Sequence, residues 1–121
     1  MERILLTIDE HDGVPVARLA GELDKLAVEQ ARAHLDPLAV AGKLVIDLDE
    51  VTFVDSAGLH ALFGLAKLAT SRGSGIALAV PESCPTARVI ALVHLAEVLP
   101  VRDTVEAAAS ALQVSLADTR G

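Results

Sequence analysis

Aromatic side chains are nearly absent from this chain of 121 residues, in which Phe53 and Phe63 are the only two and Trp and Tyr are missing. Proteins that hold single-stranded nucleic acid stack its bases on aromatic rings. Positive charge is also scarce, since the net charge is −7 at pH 7, and such a protein repels phosphate backbones. We therefore expect no direct contact with nucleic acid. The core must be built from Ala, Val, Leu and Ile.

Cysteine and long apolar runs are also in short supply. Cys84 is the only cysteine, which excludes an internal disulfide and fits a reducing compartment. No stretch approaches the roughly 18 uninterrupted apolar residues of a membrane span, and the apolar run within Met1–Asp9 is too short for a signal peptide. We expect a cytoplasmic protein without membrane insertion, whose length suits one core.

The first elements of the chain have the pattern of a β-hairpin. Apolar residues alternate along Ile4–Asp9 and again along Val14–Arg18, with Asp12 and Gly13 between them. The Asp-Gly dipeptide favours a tight turn between antiparallel strands. The first two strands are therefore predicted to pair antiparallel.

A helical period replaces the alternation after Gly21. Asp24 stands where an N-cap belongs, and Pro37 and Gly42 are predicted to mark the end of the helix. The apolar residues that recur every three or four positions are Leu26, Ala27, Ala31, Leu35 and Leu38.

The rest of the chain alternates between buried strands and helices. The predicted elements are a central strand Lys43–Leu48, a helix from Ser56 to about Ser71, a strand Ile76–Val80, a helix from about Pro85 to His94, an edge strand Val98–Val101, and a last helix from a capping box at Asp103–Glu106 to about Leu116. This order predicts an α/β fold with a mostly parallel sheet of about five strands, covered by about four helices. We predict one domain over residues 1–116 and a disordered tail at residues 117–121.

Two polar segments are predicted to meet at one edge of this sheet. Strand–helix–strand crossovers are right-handed, so the strands before Asp24 and before Ser56 should run parallel with their carboxyl ends on the same edge. Open α/β sheets place their binding sites at that edge. The segments 21–24 and 55–59 should therefore lie side by side.

The residues in these segments resemble the STAS family, and in particular its stand-alone anti-sigma factor antagonists. The similarity covers nearly the whole chain. It is carried by Gly21-Glu22-Leu23-Asp24, Val45-Ile46-Asp47-Leu48, Val51-Thr52-Phe53-Val54-Asp55-Ser56-Ala57-Gly58-Leu59 and Arg72-Gly73.

The resemblance implies a regulator of transcription that is not an enzyme and needs no cofactor or metal. In such proteins the serine after the aspartate, here Ser56, is phosphorylated by an anti-sigma factor that is itself a serine kinase of the GHKL type, and a serine phosphatase reverses the step. The unphosphorylated form binds the anti-sigma factor and so frees a sigma factor. The predicted partner-binding residues are Glu22, Asp24, Asp55, Ser56, Gly58, Leu59, Ala61 and Leu65.

Two positions depart from the family pattern. The residue after the phosphoserine is often Ser or Thr but is Ala57 here, and the glycine that often follows Gly-Leu is His60. Both substitutions keep the acceptor hydroxyl and bear only on the identity of the partner.

Structural roles are the alternatives for the same residues. Ser56 and Asp24 could each serve only as an N-cap, and Asp55 could only cap the helix or steady the turn. The functional alternative for Asp55 is to orient the serine or a metal during phosphoryl transfer. Gly58 could be required for close packing of its helix on the sheet. A phosphate on Ser56 could be held by free N–H groups at the helix N-terminus without unfolding the domain.

The helix that begins near Ser56 is apolar over more than the roughly 100° that a core face needs. Ala61, Leu65 and Leu68 form one shoulder of this stripe. We hypothesise that part of the shoulder contacts the partner. His60 and Lys67 are expected on its polar side.

Two other functions compete with the anti-sigma antagonist. One is a stand-alone STAS subunit of a membrane transporter complex. The other is a small hydrolase, but its nucleophile elbow needs glycine two residues before the serine, where this chain has Val54. His11, His34 and His94 lack the spacing of metal ligands, so we predict no metal site.

Overall fold

A computed structural model describes the backbone of residues 4–120 and the side chains of residues 5–113. Over this part of the chain a sheet of five strands is combined with four α-helices. In chain order the elements are β1 (Ile4–His11), β2 (Val14–Leu23), α1 (Lys25–Ala41), β3 (Leu44–Val54), α2 (Ser56–Ser71), β4 (Ile76–Ala79), α3 (Ala87–Leu92), a 3-10 helix (Leu95–Glu97), β5 (Val101–Arg102) and α4 (Val105–Arg120).

The strands lie in the order in which they occur in the chain, β1-β2-β3-β4-β5. β1 pairs antiparallel with β2, and each later pair is parallel. The connection between β1 and β2 is a two-residue turn in which Asp12 and Gly13 have φ of 51° and 83°. Positive φ at both turn positions matches the twist of the two strands. The predicted α/β fold, with its antiparallel first strand, is confirmed.

The helices cover both faces of the sheet. On one face α1 and α2 pack over the larger core, where Leu19, Leu35, Leu62 and Leu65 are buried together. On the other face α4 packs through Ala108, Ala109 and Leu112 on Val14, Val16, Val45, Ala77 and Ala79. Residues 44–48 of β3 are buried throughout, as expected of a strand covered on both sides.

Pro37 lies inside α1 and does not end it, so the predicted boundary is wrong there. The helix continues to Ala41, and Gly42 is its C-cap. Proline costs a helix one backbone hydrogen bond. Pro37 is exposed, whereas Ala39 beyond it is fully buried in the core, so the last turn is held by packing.

Two elements after β4, α3 and β5, are shorter than predicted. α3 ends at Leu92 because His94 adopts left-handed backbone geometry, with φ of 58°, and starts a separate 3-10 helix. β5 has only two residues. The cap of α4 is displaced by one residue from the predicted box, since Thr104 Oγ1 accepts from the Ala107 N–H at 3.0 Å.

The backbone of α4 continues past Leu116 to Arg120. Disorder at residues 117–121 stays a prediction, and Gly121 lies outside the described residues. Within residues 4–120, no helix combines the length and the hydropathy needed to cross a membrane.

Candidate functional site

Two aspartates cap the helices that leave neighbouring strands, and they do so with the same geometry. Asp24 has φ −102° and ψ −174°, and its Oδ1 accepts from the Ala27 N–H at 3.0 Å. Asp55 has φ −100° and ψ −175°, and its Oδ1 accepts from the Gly58 N–H at 2.9 Å. Each carboxylate thus satisfies one of the free donors in the first turn and places negative charge at the positive end of a helix. The N-cap predicted at Asp24 is confirmed, and Asp55 has the capping role that was one alternative for it.

The two capped junctions are adjacent in space. Leu23 and Val54, the last residues of β2 and β3, are paired in the parallel ladder, and the Asp55 N–H donates to the Leu23 carbonyl at 3.3 Å. Neighbouring strands lie about 4.8 Å apart. The predicted meeting of segments 21–24 and 55–59 at one sheet edge is therefore confirmed.

A pair of irregularities in the β2–β3 ladder shapes this edge. The register shifts between Arg18 and Ala20 and again between Gly21 and Glu22. Gly21 has φ of 112°, a conformation that other residues adopt only with strain. β2 continues to Leu23, five residues past Arg18, where the alternation recognised in the sequence ends, and Glu22 lies on the strand and is exposed.

Ser56 is the first residue of α2 and is exposed. Asp55 is the N-cap, so the alternative in which Ser56 serves only as the cap is wrong. Among the described residues, the hydroxyl of Ser56 makes no hydrogen bond to another protein group. The N–H groups of Ser56 and Ala57 lie in the first turn, where a helix leaves its donors free for an anion.

Gly58 fixes the distance between α2 and the sheet. A Cβ at this position would lie 2.5 Å from the Leu23 carbonyl oxygen and 2.7 Å from Val54 Cγ2, closer than such atoms can approach. The packing role considered for Gly58 is therefore present, and the glycine itself is buried. Its neighbour Leu59 is partly exposed.

The hypothesis that the apolar shoulder of α2 contacts a partner is wrong for Ala61 and Leu65. These residues are only 8% and 1% exposed. α2 packs against α1 as well as against the sheet, and this second contact buries a stripe wider than one core face. His60 and Lys67 are exposed on the polar side as predicted.

Two exposed apolar side chains near the capping aspartates were missed. Leu26 lies two residues after Asp24 and is 51% exposed, and Phe53 lies two residues before Asp55 and is 50% exposed. Phe53 pairs with Glu22 in the ladder. The sequence did offer a signal for Phe53, because it is one of only two aromatic residues and directly precedes the Val-Asp-Ser segment.

Metal coordination does not account for this edge of the sheet. Among the side chains that the structure describes, no three His, Cys, Asp or Glu residues converge as a metal site would require. What the edge offers is an exposed hydroxyl beside free N–H donors, flanked by two capping carboxylates and two exposed apolar side chains. Such a surface can bind a protein and can change its charge by modification.

Known proteins resemble this chain in sequence and in fold. A family model for the STAS domain matches residues 6–108. An anti-sigma F factor antagonist from Paenibacillus polymyxa is 28% identical over 112 residues, which cover 90% of this chain and 95% of that protein.

Solved structures give the same result. An anti-sigma factor antagonist from Mycobacterium paratuberculosis superposes with a TM-score of 0.75 at 29% identity, covering 91% of this chain and 94% of that one. SpoIIAA in its unphosphorylated form has a TM-score of 0.66 at 21% identity, covering 97% and 99% of the two chains. SpoIIAA in its phosphorylated form has a TM-score of 0.62 at 23% identity, covering 88% and 97%.

Proposed function

The chain belongs to the STAS domain family, and from this premise we propose that it is an anti-sigma factor antagonist whose partner binding is switched at Ser56. The unphosphorylated protein binds the anti-sigma factor, and phosphorylation of Ser56 releases it. The observation that carries the proposal is an exposed serine in the first turn of α2, directly after the capping Asp55, at the sheet edge where Asp24 caps the helix that follows the neighbouring strand.

The chemistry of this position supports a switch that acts through charge. A phosphate on Ser56 would lie beside the free N–H donors of the first turn, so the fold can accept it without rearrangement. At neutral pH it adds about 1.5 to 2 negative charges next to Asp24 and Asp55. A doubly charged phosphate about 7 Å from one carboxylate is repelled by about 5 kcal/mol at an effective dielectric of about 20, before salt screening. A partner that is complementary to the unmodified edge would meet a more negative surface after phosphorylation. A loss of about 1.4 kcal/mol in binding free energy already weakens the affinity tenfold.

The docking surface that we propose is smaller than the set of residues predicted from the sequence. It comprises Glu22, Asp24, Asp55, Ser56 and Leu59, joined by the exposed side chains of Leu26 and Phe53. Gly58 supports the surface by packing and does not contact the partner itself.

We infer the partners from the same premise. The anti-sigma factor is a serine kinase of the GHKL type and supplies the ATP, a serine phosphatase restores the unmodified form, and the exchange takes place in the cytoplasm. SpoIIAA, which shares the fold, exists in an unphosphorylated and a phosphorylated form.

Affinity capture from cell extract tests this proposal. The purified chain is immobilised and exposed to extract with and without ATP, and both the captured proteins and the chain are identified by mass spectrometry. We expect a kinase that is retained without ATP and lost with ATP, together with one phosphate on Ser56.

Two serine variants make the experiment specific. Ser56→Ala should retain the kinase in the presence of ATP and accept no phosphate, whereas the control Ser83→Ala, at another exposed serine, should behave like the wild type. Equal phosphorylation of the Ser56→Ala variant would overturn the assignment of the site. Capture of a transporter component in place of a kinase would overturn the proposed function.

A further inference from the structure

A concave surface lies at the other end of the same sheet edge. The carboxyl ends of β4 and β5 meet there, where the Val80 N–H donates to the Arg102 carbonyl at 2.7 Å. Between these strand ends and the segment from α3 to the 3-10 helix is a cavity of about 450 Å³. This volume lies within the range of about 300 to 1,000 Å³ that is typical of ligand pockets.

The inner wall of this cavity is apolar. Val80 and Val101 line it from the strand ends, and Ala87, Ile90 and Ala91 line it from α3. Ala91 is exposed, and the next residue, Leu92, is 69% exposed, so apolar surface continues beyond the mouth of the cavity.

Carboxylates from three separate segments surround the apolar wall. Glu82 follows β4, Glu97 ends the 3-10 helix and Asp103 follows β5, and all three line the cavity. His94 also lines it, with its Nδ1 3.4 Å from Glu97 Oε2. Among the side chains that the structure describes, no lysine or arginine lines the cavity.

We propose that this cavity binds a basic amphipathic segment of a partner protein, with apolar side chains seated on the wall and Lys or Arg side chains at the carboxylate rim. The rim charge complements such a segment, whereas it repels nucleic acid, an anionic membrane and a second copy of this chain, whose own net charge is −7. The apolar surface extends past the cavity to Leu92, which a peptide covers and a small cation does not. This site is separate from Ser56, so it stands whether or not the proposed function holds.

A titration followed by ¹H–¹⁵N NMR tests the proposal. The probe is a short synthetic amphipathic peptide of leucine and lysine, and the matched control peptide carries glutamate in place of lysine. We expect saturable shifts that centre on Ala87, Ala91 and Ala96 with the basic peptide and none with the acidic one. Shifts spread over the whole acidic surface would overturn the proposal.

Matched variants separate the cavity from general charge attraction. Ala91→Lys places a cation at the cavity and should weaken binding at least tenfold, whereas Ala33→Lys, at an exposed alanine of α1, should change it less than twofold.

A second pair of variants keeps the net charge equal. The test variant neutralises the three cavity carboxylates, Glu82, Glu97 and Asp103. The control variant neutralises three exposed carboxylates elsewhere, Glu10, Glu29 and Glu50. The test variant should weaken peptide binding at least fivefold more than the control variant. Equal losses would overturn the proposal. Equally tight binding of octylammonium at the same amides would assign the cavity to a small cation instead.

Discussion

Replacing Gly58 with alanine is the most direct perturbation of the packing that positions Ser56. The new Cβ would lie 2.5 Å from the Leu23 carbonyl oxygen and 2.7 Å from Val54 Cγ2. Neither atom can easily withdraw. The carbonyl belongs to a strand and accepts from the Asp55 N–H, and the χ1 angle of a valine is stiff.

The expected cost follows from this crowding. Inserting a methyl group into a well-packed core costs about 1 to 3 kcal/mol, and an ordinary Gly→Ala change inside a helix returns up to about 1 kcal/mol. One of the two clashes is with the backbone, so the upper end of the cost applies, and we expect Gly58→Ala to lower the free energy of unfolding by about 2 kcal/mol. Because α2 must move away from the ends of β2 and β3, partner binding should weaken as well.

Gly64, on the same helix, provides the matched control. A Cβ there would meet only the guanidinium of Arg32, with Nη1 at 3.1 Å, which is the far end of a flexible side chain. Gly64→Ala should therefore leave the stability unchanged or raise it by up to about 1 kcal/mol. Urea unfolding followed by far-UV circular dichroism measures both, since the chain has no Trp or Tyr for fluorescence. Equal stability of the two variants would refute the close approach at Gly58.

Three further predictions concern the caps, the modification and a partly buried ion pair. Asp24→Ala should lower the free energy of unfolding by about 1 kcal/mol, while Asp24→Asn keeps a capping oxygen and should stay within a few tenths in urea unfolding; equal losses would argue against capping. Phosphorylated and unmodified protein should give the same far-UV circular dichroism, because the first turn already offers donors to the phosphate, and a large loss of helical signal would contradict this. Arg18 Nη1 lies 3.0 Å from Asp47 Oδ2, and the Asp47 side chain is 10% exposed. Arg18→Ala should therefore cost about 1 to 2 kcal/mol, and clearly less in an Asp47→Asn background; the same cost in both would show that the pair is not coupled.

The sequence predicted correctly those features that depend on only a few neighbouring residues. Asp12 and Gly13 can adopt positive φ, and an aspartate before a helical period can cap it, so the hairpin and the α1 cap follow from a few residues. The bounds of α2 also follow, because its start lies at a capped turn and its end at Arg72-Gly73.

The errors arose where distant packing overrides a local preference. Pro37 stays in α1 because Ala39 beyond it is buried, and the helix predicted from about Pro85 to His94 extends only over Ala87–Leu92. The width of the apolar stripe on α2 suggested a contact surface at Ala61 and Leu65. It reflects instead the packing of α2 against both α1 and the sheet, which no single helix reveals.

The measurement that tests the central claim is the dissociation constant between this chain and the captured kinase, determined by isothermal titration calorimetry before and after stoichiometric phosphorylation of Ser56. A nonhydrolysable ATP analogue keeps the kinase from modifying the unphosphorylated sample. We predict that phosphorylation weakens binding at least tenfold, a loss of about 1.4 kcal/mol or more, and that Ser56→Ala binds like the unmodified chain. The same dissociation constant for the phosphorylated and unmodified chains would contradict a switch at Ser56.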